Sequence, residues 1–206
     1  WEIRAVKKYA LFGPAAIAES VAWRLIGRGD EAYYCAVNKA ASDALAAACN
    51  TCQILYPTIV ESPFKMVDVF ASLPAELDGI IFCAEESVST KLSALQFSDF
   101  EHDVCTRIFG AFNTFKSGLR SLKSGGCFVF TNSTATCIAI RHAERALVED
   151  MRMDTETVRK NVRIHTMRTP TPSEAPTHVR TSIAGAIVKC LEQEVNQGLV
   201  MNPSSC

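Results

Sequence analysis

Short apolar runs alternate with helix-period segments from one end of this chain to the other, and few architectures can absorb that pattern. Lys8 to Phe12 reads as a strand. Ile17, Val21 and Leu25 then recur at i, i+4 and i+8, the spacing of one helix face, and Gly27 and Gly29 close that helix. Ala32 to Val37 reads as a second strand, Ala40 to Cys49 as an alanine-rich helix, and Gln53 to Tyr56 as a third strand ended by Pro57. A short helix over Pro63 to Ser72 precedes a near-continuous apolar strand, Asp78 to Ala84. Phe100, Val104, Ile108, Phe112, Phe115, Leu119 and Leu122 mark a long helix with a continuous buried stripe, stopped by Ser124-Gly125-Gly126. Cys127 to Thr131 is the fifth strand. Ile140, Ala143, Leu147 and Met151 mark another helix, and Val162 to Met167 the next strand. Pro170, Pro172 and Pro176 place a loop over 168–177. Val179, Ile183, Ile187, Leu191 and Val195 give a final helix, and Gly198 to Met201 a last short strand.

Strands that alternate with helices pair in parallel, because each crossover helix must return the chain to the same edge. Strands covered on both faces are apolar throughout, which matches the runs seen here. The pattern predicts an α/β, Rossmann-like doubly wound parallel sheet of about seven strands with helices on both faces. Residues 1–206 read as a single domain, with no repeat or linker. A chain of this length buries a sizeable core.

Lys and Arg number 21 against 22 Asp and Glu, with no basic run, so nucleic acid is not the expected partner. No apolar stretch approaches the roughly 20 residues that cross a bilayer. The nine cysteines are scattered, several inside apolar runs, and an odd count points to reduced thiols in a reducing intracellular compartment. Cytosol and mitochondrial matrix fit equally. The chain begins at Trp1, which leaves room for a removed N-terminal segment. Cys49-Asn50-Thr51-Cys52 has C-x-x-C spacing but no second pair or nearby histidine, and reads as a helix-to-strand junction. His102, His142, His165 and His178 form no ligand pair, so no metal site is expected.

In a doubly wound sheet the turn after the first strand faces the ligand crevice. A dinucleotide pyrophosphate needs helix N-terminal N–H groups and nothing in the way, which is why glycines dominate such turns. Here the turn reads Phe12-Gly13-Pro14-Ala15-Ala16-Ile17-Ala18-Glu19. Gly13 keeps the tight turn, but Ala16 and Ala18 stand where further glycines are expected, Pro14 removes an N–H, and Glu19 repels phosphate. After the second strand, Asn38-Lys39 occupies the position that selects between cofactors; Lys39 suits a 2′-phosphate, so any cofactor reads as NADP before NAD.

Several segments, in order and at the expected spacing, resemble the short-chain dehydrogenase/reductase family. Leu77-Asp78-Gly79-Ile80-Ile81-Phe82-Cys83-Ala84-Glu85 is similar to its fourth strand, which ends Asn-Asn-Ala-Gly; Ala84 is kept. Arg107-Ile108-Phe109-Gly110-Ala111-Phe112 is similar to the Asn-x-x-Gly-x-Phe segment of the long helix, with Arg107 at the catalytic asparagine. Gly126-Cys127-Phe128-Val129-Phe130-Thr131-Asn132-Ser133 resembles the strand leading to the catalytic serine, matched by Ser133. Arg141-His142-Ala143-Glu144-Arg145-Ala146-Leu147 resembles the helix of the Tyr-x-x-x-Lys motif, with Arg141 at the lysine and Cys137 at the tyrosine. The tail Asn196-Gln197-Gly198-Leu199-Val200-Met201 is similar to the final strand.

The resemblance implies a nicotinamide cofactor and a tyrosine proton donor in the second half of the chain, yet no tyrosine occurs after Tyr56. General acid catalysis needs a group that exchanges a proton near working pH. Arg141 stays protonated and can only hold an anion, and the Cys137 thiol is shorter than a phenol. The stretch from Ser133 to Arg141 and the segment 168–178 are also brief. Ser133, Arg107 and Arg141 therefore read as vestigial or repurposed catalytic positions, and Gly13, Ala16, Ala18, Asn38, Lys39 and Ala84 as the cofactor positions if any cofactor binds. The expectation is a catalytically degenerate relative that holds no cofactor and acts as a structural or binding subunit. Its protein partners, or further copies of itself, would meet the long helix 99–122 and the helix–strand 179–202, the surfaces on which the family assembles. One alternative is an NAD(P)-dependent oxidoreductase of the family whose catalytic loop lies outside this sequence. Another is a non-redox isomerase or cyclase in which Arg107, Arg141 and Glu85 stabilise charge.

Overall fold

A computed structural model of the chain describes residues 5–13, 15–36, 53–55, 63–84, 92–133, 137–169, 177–193 and 198–200. The alanine-rich helix over 40–49, the Cys49–Cys52 pair, Asn38, Lys39, Glu85, Val195 and the proline loop over 170–176 lie outside them. Seven strands, β1 (Lys8–Gly13), β2 (Glu31–Ala36), β3 (Gln53–Leu55), β4 (Leu77–Cys83), β5 (Leu122–Ser133), β6 (Arg163–Thr169) and β7 (Gly198–Val200), pair in the order β3-β2-β1-β4-β5-β6-β7. Every pairing is parallel. Five strands of six residues or more carry the sheet, and three-residue strands edge it on either side. The fold is the α/β, Rossmann-like parallel sheet that the sequence pattern predicts.

Helices cover both faces. Leu11, Tyr34, Ile81, Cys83 and Val129 point to one face, under α1 (Ala15–Ile26) and a C-terminal helix, Thr177–Cys190. Their sequence neighbours Phe12, Tyr33, Ile80, Phe82 and Phe130 point to the other, under α2 (Pro63–Ser72) and the helices that follow. Each apolar run therefore feeds two cores at once, the period-two geometry of a strand buried on both sides.

The long helix departs from expectation. α3 runs as α-helix over Phe97–Asp103, as π-helix over Val104–Phe109, and as α-helix again over Gly110–Gly118. A π segment adds a residue to the turn and rotates everything beyond it. The regular stripe Phe100-Val104-Ile108-Phe112 is therefore not the buried one: Phe112 is 42% exposed, while Asp103, Thr106, Arg107, Asn113 and Thr114 are buried. The helix also ends sooner, at Gly118, where a side chain would lie 2.5 Å from Ile80 and 2.6 Å from Phe70. Leu122 opens β5 instead of closing the helix, and Ser124-Gly125-Gly126 lies within that strand, where its register against β4 shifts.

α4 (Ile138–Met153) buries Ile140, Glu144, Val148 and Met151, one step round the helix from the expected Ile140-Ala143-Leu147-Met151 stripe. A short helix that periodicity does not reveal, α5 (Thr155–Arg159), starts where Asp154 accepts hydrogen bonds from the Glu156 and Thr157 backbone N–H groups. The C-terminal helix Thr177–Cys190 is α6.

Candidate functional site: the carboxyl edge of the sheet

Parallel α/β sheets bind ligands at their carboxyl edge, where neighbouring crossovers diverge. Gly13 ends β1, Ala84 follows β4, Ser133 ends β5 and Arg141 lies in the first turns of α4, so the fold brings these four to one edge. Gly13 has φ +125°, and a side chain there would come within 2.2 Å of the Cys83 carbonyl oxygen. The turn is that close to β4, and only glycine fits. The Tyr34 hydroxyl donates a 2.7 Å hydrogen bond to the Gly13 carbonyl and fixes the turn from beneath. Ala16 lies in the first turn of α1, whereas Ala18 is fully buried against the sheet. Ala84 is buried and donates its N–H to the Thr131 carbonyl at 3.2 Å.

Arg107 does not project into the crevice. It is 1% exposed, and its Nε donates to Glu144 Oε1 at 2.8 Å, a buried ion pair that bolts the π segment of α3 to α4. The second carboxylate oxygen, Oε2, is buried without a hydrogen bond. Burial lifts the Glu144 carboxyl above its ordinary value, against the opposing pull of Arg107; Asp103 nearby pushes the same way as burial. Cys137 caps α4, is 1% exposed, and makes no side-chain cap hydrogen bond.

Arg141 stands apart from this pair. With His142, Arg145 and Arg168 it lines a polar cavity of about 200 Å³ between α4 and the carboxyl end of β6. Arg107 is not among the lining residues, so the charge cluster pictured for isomerase or cyclase chemistry is divided between a buried pair and an open cavity. A larger, mainly apolar groove of about 610 Å³ lies between α2 and the last turns of α3, lined by Phe70, Phe112 and Lys116 among others. Ser121, at its end, receives the N–H of Leu77 at the start of β4, which puts this groove at the amino edge, away from the crevice. Among the described residues no group of histidine, cysteine or acidic side chains could hold a metal ion, and no helix is long and apolar enough to cross a membrane.

The placement of Glu144, Arg145 and Arg168 is not announced by the sequence. Glu144 sits inside an apolar-looking helix face, and only the packing of α4 on α3 pairs it with Arg107. Arg145 repeats Arg141 at i+4, which in the sequence marks a basic helix face.

No family model and no curated protein matches the sequence. Solved structures do match. A short-chain dehydrogenase/reductase from Vibrio parahaemolyticus superposes with TM-score 0.79 at 14% identity, covering 94% of this chain and 99% of that one. An alcohol dehydrogenase from the archaeon Thermococcus sibiricus, complexed with 5-hydroxy-NADP, gives 0.78 at 19%, with 96% of both chains covered. An oxidoreductase of the same family from Burkholderia thailandensis gives 0.78 at 13%, covering 96% of this chain and 91% of that one. The chain has the short-chain dehydrogenase/reductase fold.

Proposed function

We propose that this chain is a catalytically silent protein of the short-chain dehydrogenase/reductase fold, serving as a binding or structural subunit. The burial of Arg107 carries the reading. The residue at the family's catalytic asparagine is sealed in the protein and neutralised by Glu144, so it offers a substrate neither a proton relay nor a positioned donor. Cys137, at the position of the missing tyrosine, is buried as well. Scaffolds outlive their chemistry when their surfaces stay useful. Here Phe97, Phe109 and Phe112 remain exposed along α3, on the helix where protein partners or further copies of the chain would dock.

The competing reading is an NAD(P)-dependent oxidoreductase. Its support is a solved match that is an NADPH complex, BdcA, at 14% identity, together with the 5-hydroxy-NADP complex above. Calorimetric titration of NADPH and NADH into the purified protein, verified by intact mass, decides between them. The silent reading expects no heat and no thermal shift at millimolar nucleotide. Micromolar binding with turnover of any carbonyl substrate would replace it with the oxidoreductase.

A further inference from the structure

We propose that the cavity between α4 and β6 is a binding site for a dianionic phosphoryl group, held by Arg141, Arg145 and Arg168 with His142 beside them. The inference does not depend on the silent reading, because the cavity is lined by residues other than those of the dinucleotide turn at Gly13.

Three arginines line about 200 Å³ of space, and among the described residues none of the three forms an ion pair. Four other arginines, Arg28, Arg107, Arg152 and Arg159, each pair with a carboxylate, and Arg24 and Arg163 donate to backbone carbonyls. Glu144, between Arg141 and Arg145 in sequence, faces inward to Arg107 and feels Arg168 only as the weakest of its neighbours. Arg145 and Arg168 are exposed and Arg141 half-buried, so the charge of the cavity faces water and any anion that enters it.

Its position makes the gathering of charge costlier for the fold. Arg141 and Arg145 are like charges one turn apart on the same helix, an arrangement that destabilises it. Arg141 also lies at the end of the first turn of α4, where the helix dipole favours anions and disfavours cations. The first turn of α4 holds no acidic residue, and its cap, Cys137, makes no side-chain hydrogen bond. A bound anion would relieve the repulsion between Arg141 and Arg145.

The chemistry of the lining selects the anion. Each guanidinium presents a planar fork of N–H donors that matches phosphate oxygens in pairs. Three such forks suit a group with two charges and three acceptor oxygens better than a carboxylate with one charge and two. The cavity is smaller than the roughly 300–1,000 Å³ sites that engulf whole drug-sized ligands. It fits a phosphoryl terminus, with the rest of the ligand lying along the carboxyl edge toward Ser133, whose strand residue pairs in register with Thr169 beside Arg168.

The test is a thermal-shift and calorimetric titration with inorganic phosphate against sodium chloride at matched ionic strength. Saturable stabilisation by phosphate is expected, weakened by at least about tenfold in Arg145→Gln/Arg168→Gln. Arg159→Gln, which alters an exposed arginine on α5, should leave it unchanged. The double variant should be at least as stable as the parent in chloride, because it removes unrelieved repulsion, so misfolding would not mimic the result. A phosphate response no larger than that of chloride in the parent, or an equal response in the double variant, would overturn the site. Glycerol phosphate and NADPH as competitors then identify the carrier: displacement by the first supports a small phosphomonoester, displacement by the second a nucleotide phosphate. Failure here leaves the NADPH titration above unaffected, whereas displacement by NADPH would support the site and count against the silent reading.

Discussion

Arg107 and Glu144 put opposite charges between α3 and α4, beside the buried polar side chains Asp103, Thr106 and Asn113. Removing one partner of such a pair strands the other in low dielectric, whereas replacing both with apolar groups of similar size is often neutral. Arg107→Met is accordingly expected to lower stability by about 3–5 kcal/mol, and Arg107→Met/Glu144→Leu to recover most of that loss. Urea denaturation of both variants and of Glu144→Leu, closed as a double-mutant cycle, checks it; additive losses would mean the two side chains do not act as a pair. The same carboxyl gives a pH signature. Burial raises the Glu144 pKa in the folded state, so over the window between the ordinary and the raised value the folded protein holds a proton that the unfolded chain has lost. Stability from this group is thus fully present below the unfolded value and falls as pH rises through the folded one. The parent should gain stability relative to Glu144→Gln on acidification from neutrality toward about pH 4, where unfolded carboxylates titrate. A gap that narrows on acidification would contradict the assigned direction.

At the scale of elements, the β1–α1 turn and the β2 approach separate two costs of replacing glycine. Gly13 has φ +125° and a carbonyl oxygen 2.2 Å from where a Cβ would stand, so Gly13→Ala meets both strain and collision. Gly29, after α1, has φ +82° with nothing within 4 Å, so Gly29→Ala meets strain alone. The expected losses are about 3 kcal/mol or more for the first and about 1 kcal/mol for the second, read from urea midpoints. Similar losses at the two sites would mean that β1 does not approach Cys83 as closely as described. These same elements show what the chain spells out and what it hides. β1, α1 and α2 are legible because each is a local pattern: an apolar run, an i, i+4 stripe, a proline start. The course of α3 is not, because a π segment is fixed by what the helix packs against, and Arg107 enters the interior only because Glu144 waits there from a helix 37 residues away. The basic cavity is hidden for the same reason: Arg168 reaches Arg141 through sheet register and helix placement, neither of which is written at either residue.

For the molecule as a whole, one sheet serves two cores, and this bears on how the chain unfolds. Cys83, Cys127 and Cys190 belong to the core under α1 and α6, and Cys35 to the core under α2, α3 and α4. Burial pushes the Cys83 and Cys127 thiols up to about 12 and Cys190 to about 11, so at neutral pH they hold almost no thiolate, the form that reacts. In the native protein all four should resist a disulfide reagent such as dithionitrobenzoate, while the half-exposed Cys105 on α3 is the described thiol expected to react first. Because strands β1, β2 and β4 donate alternate side chains to both cores, neither core can open while the other keeps its sheet. Pulse labelling across a urea gradient, read by peptide mass mapping, should therefore give Cys35 the same midpoint as Cys83, Cys127 and Cys190. A separate, earlier midpoint for Cys35 would mean that the α2–α4 layer peels from the sheet as its own unit. The groove between α2 and α3 would then belong to a layer that opens independently, and a docking role for α3 would have to be tested with that layer both closed and open.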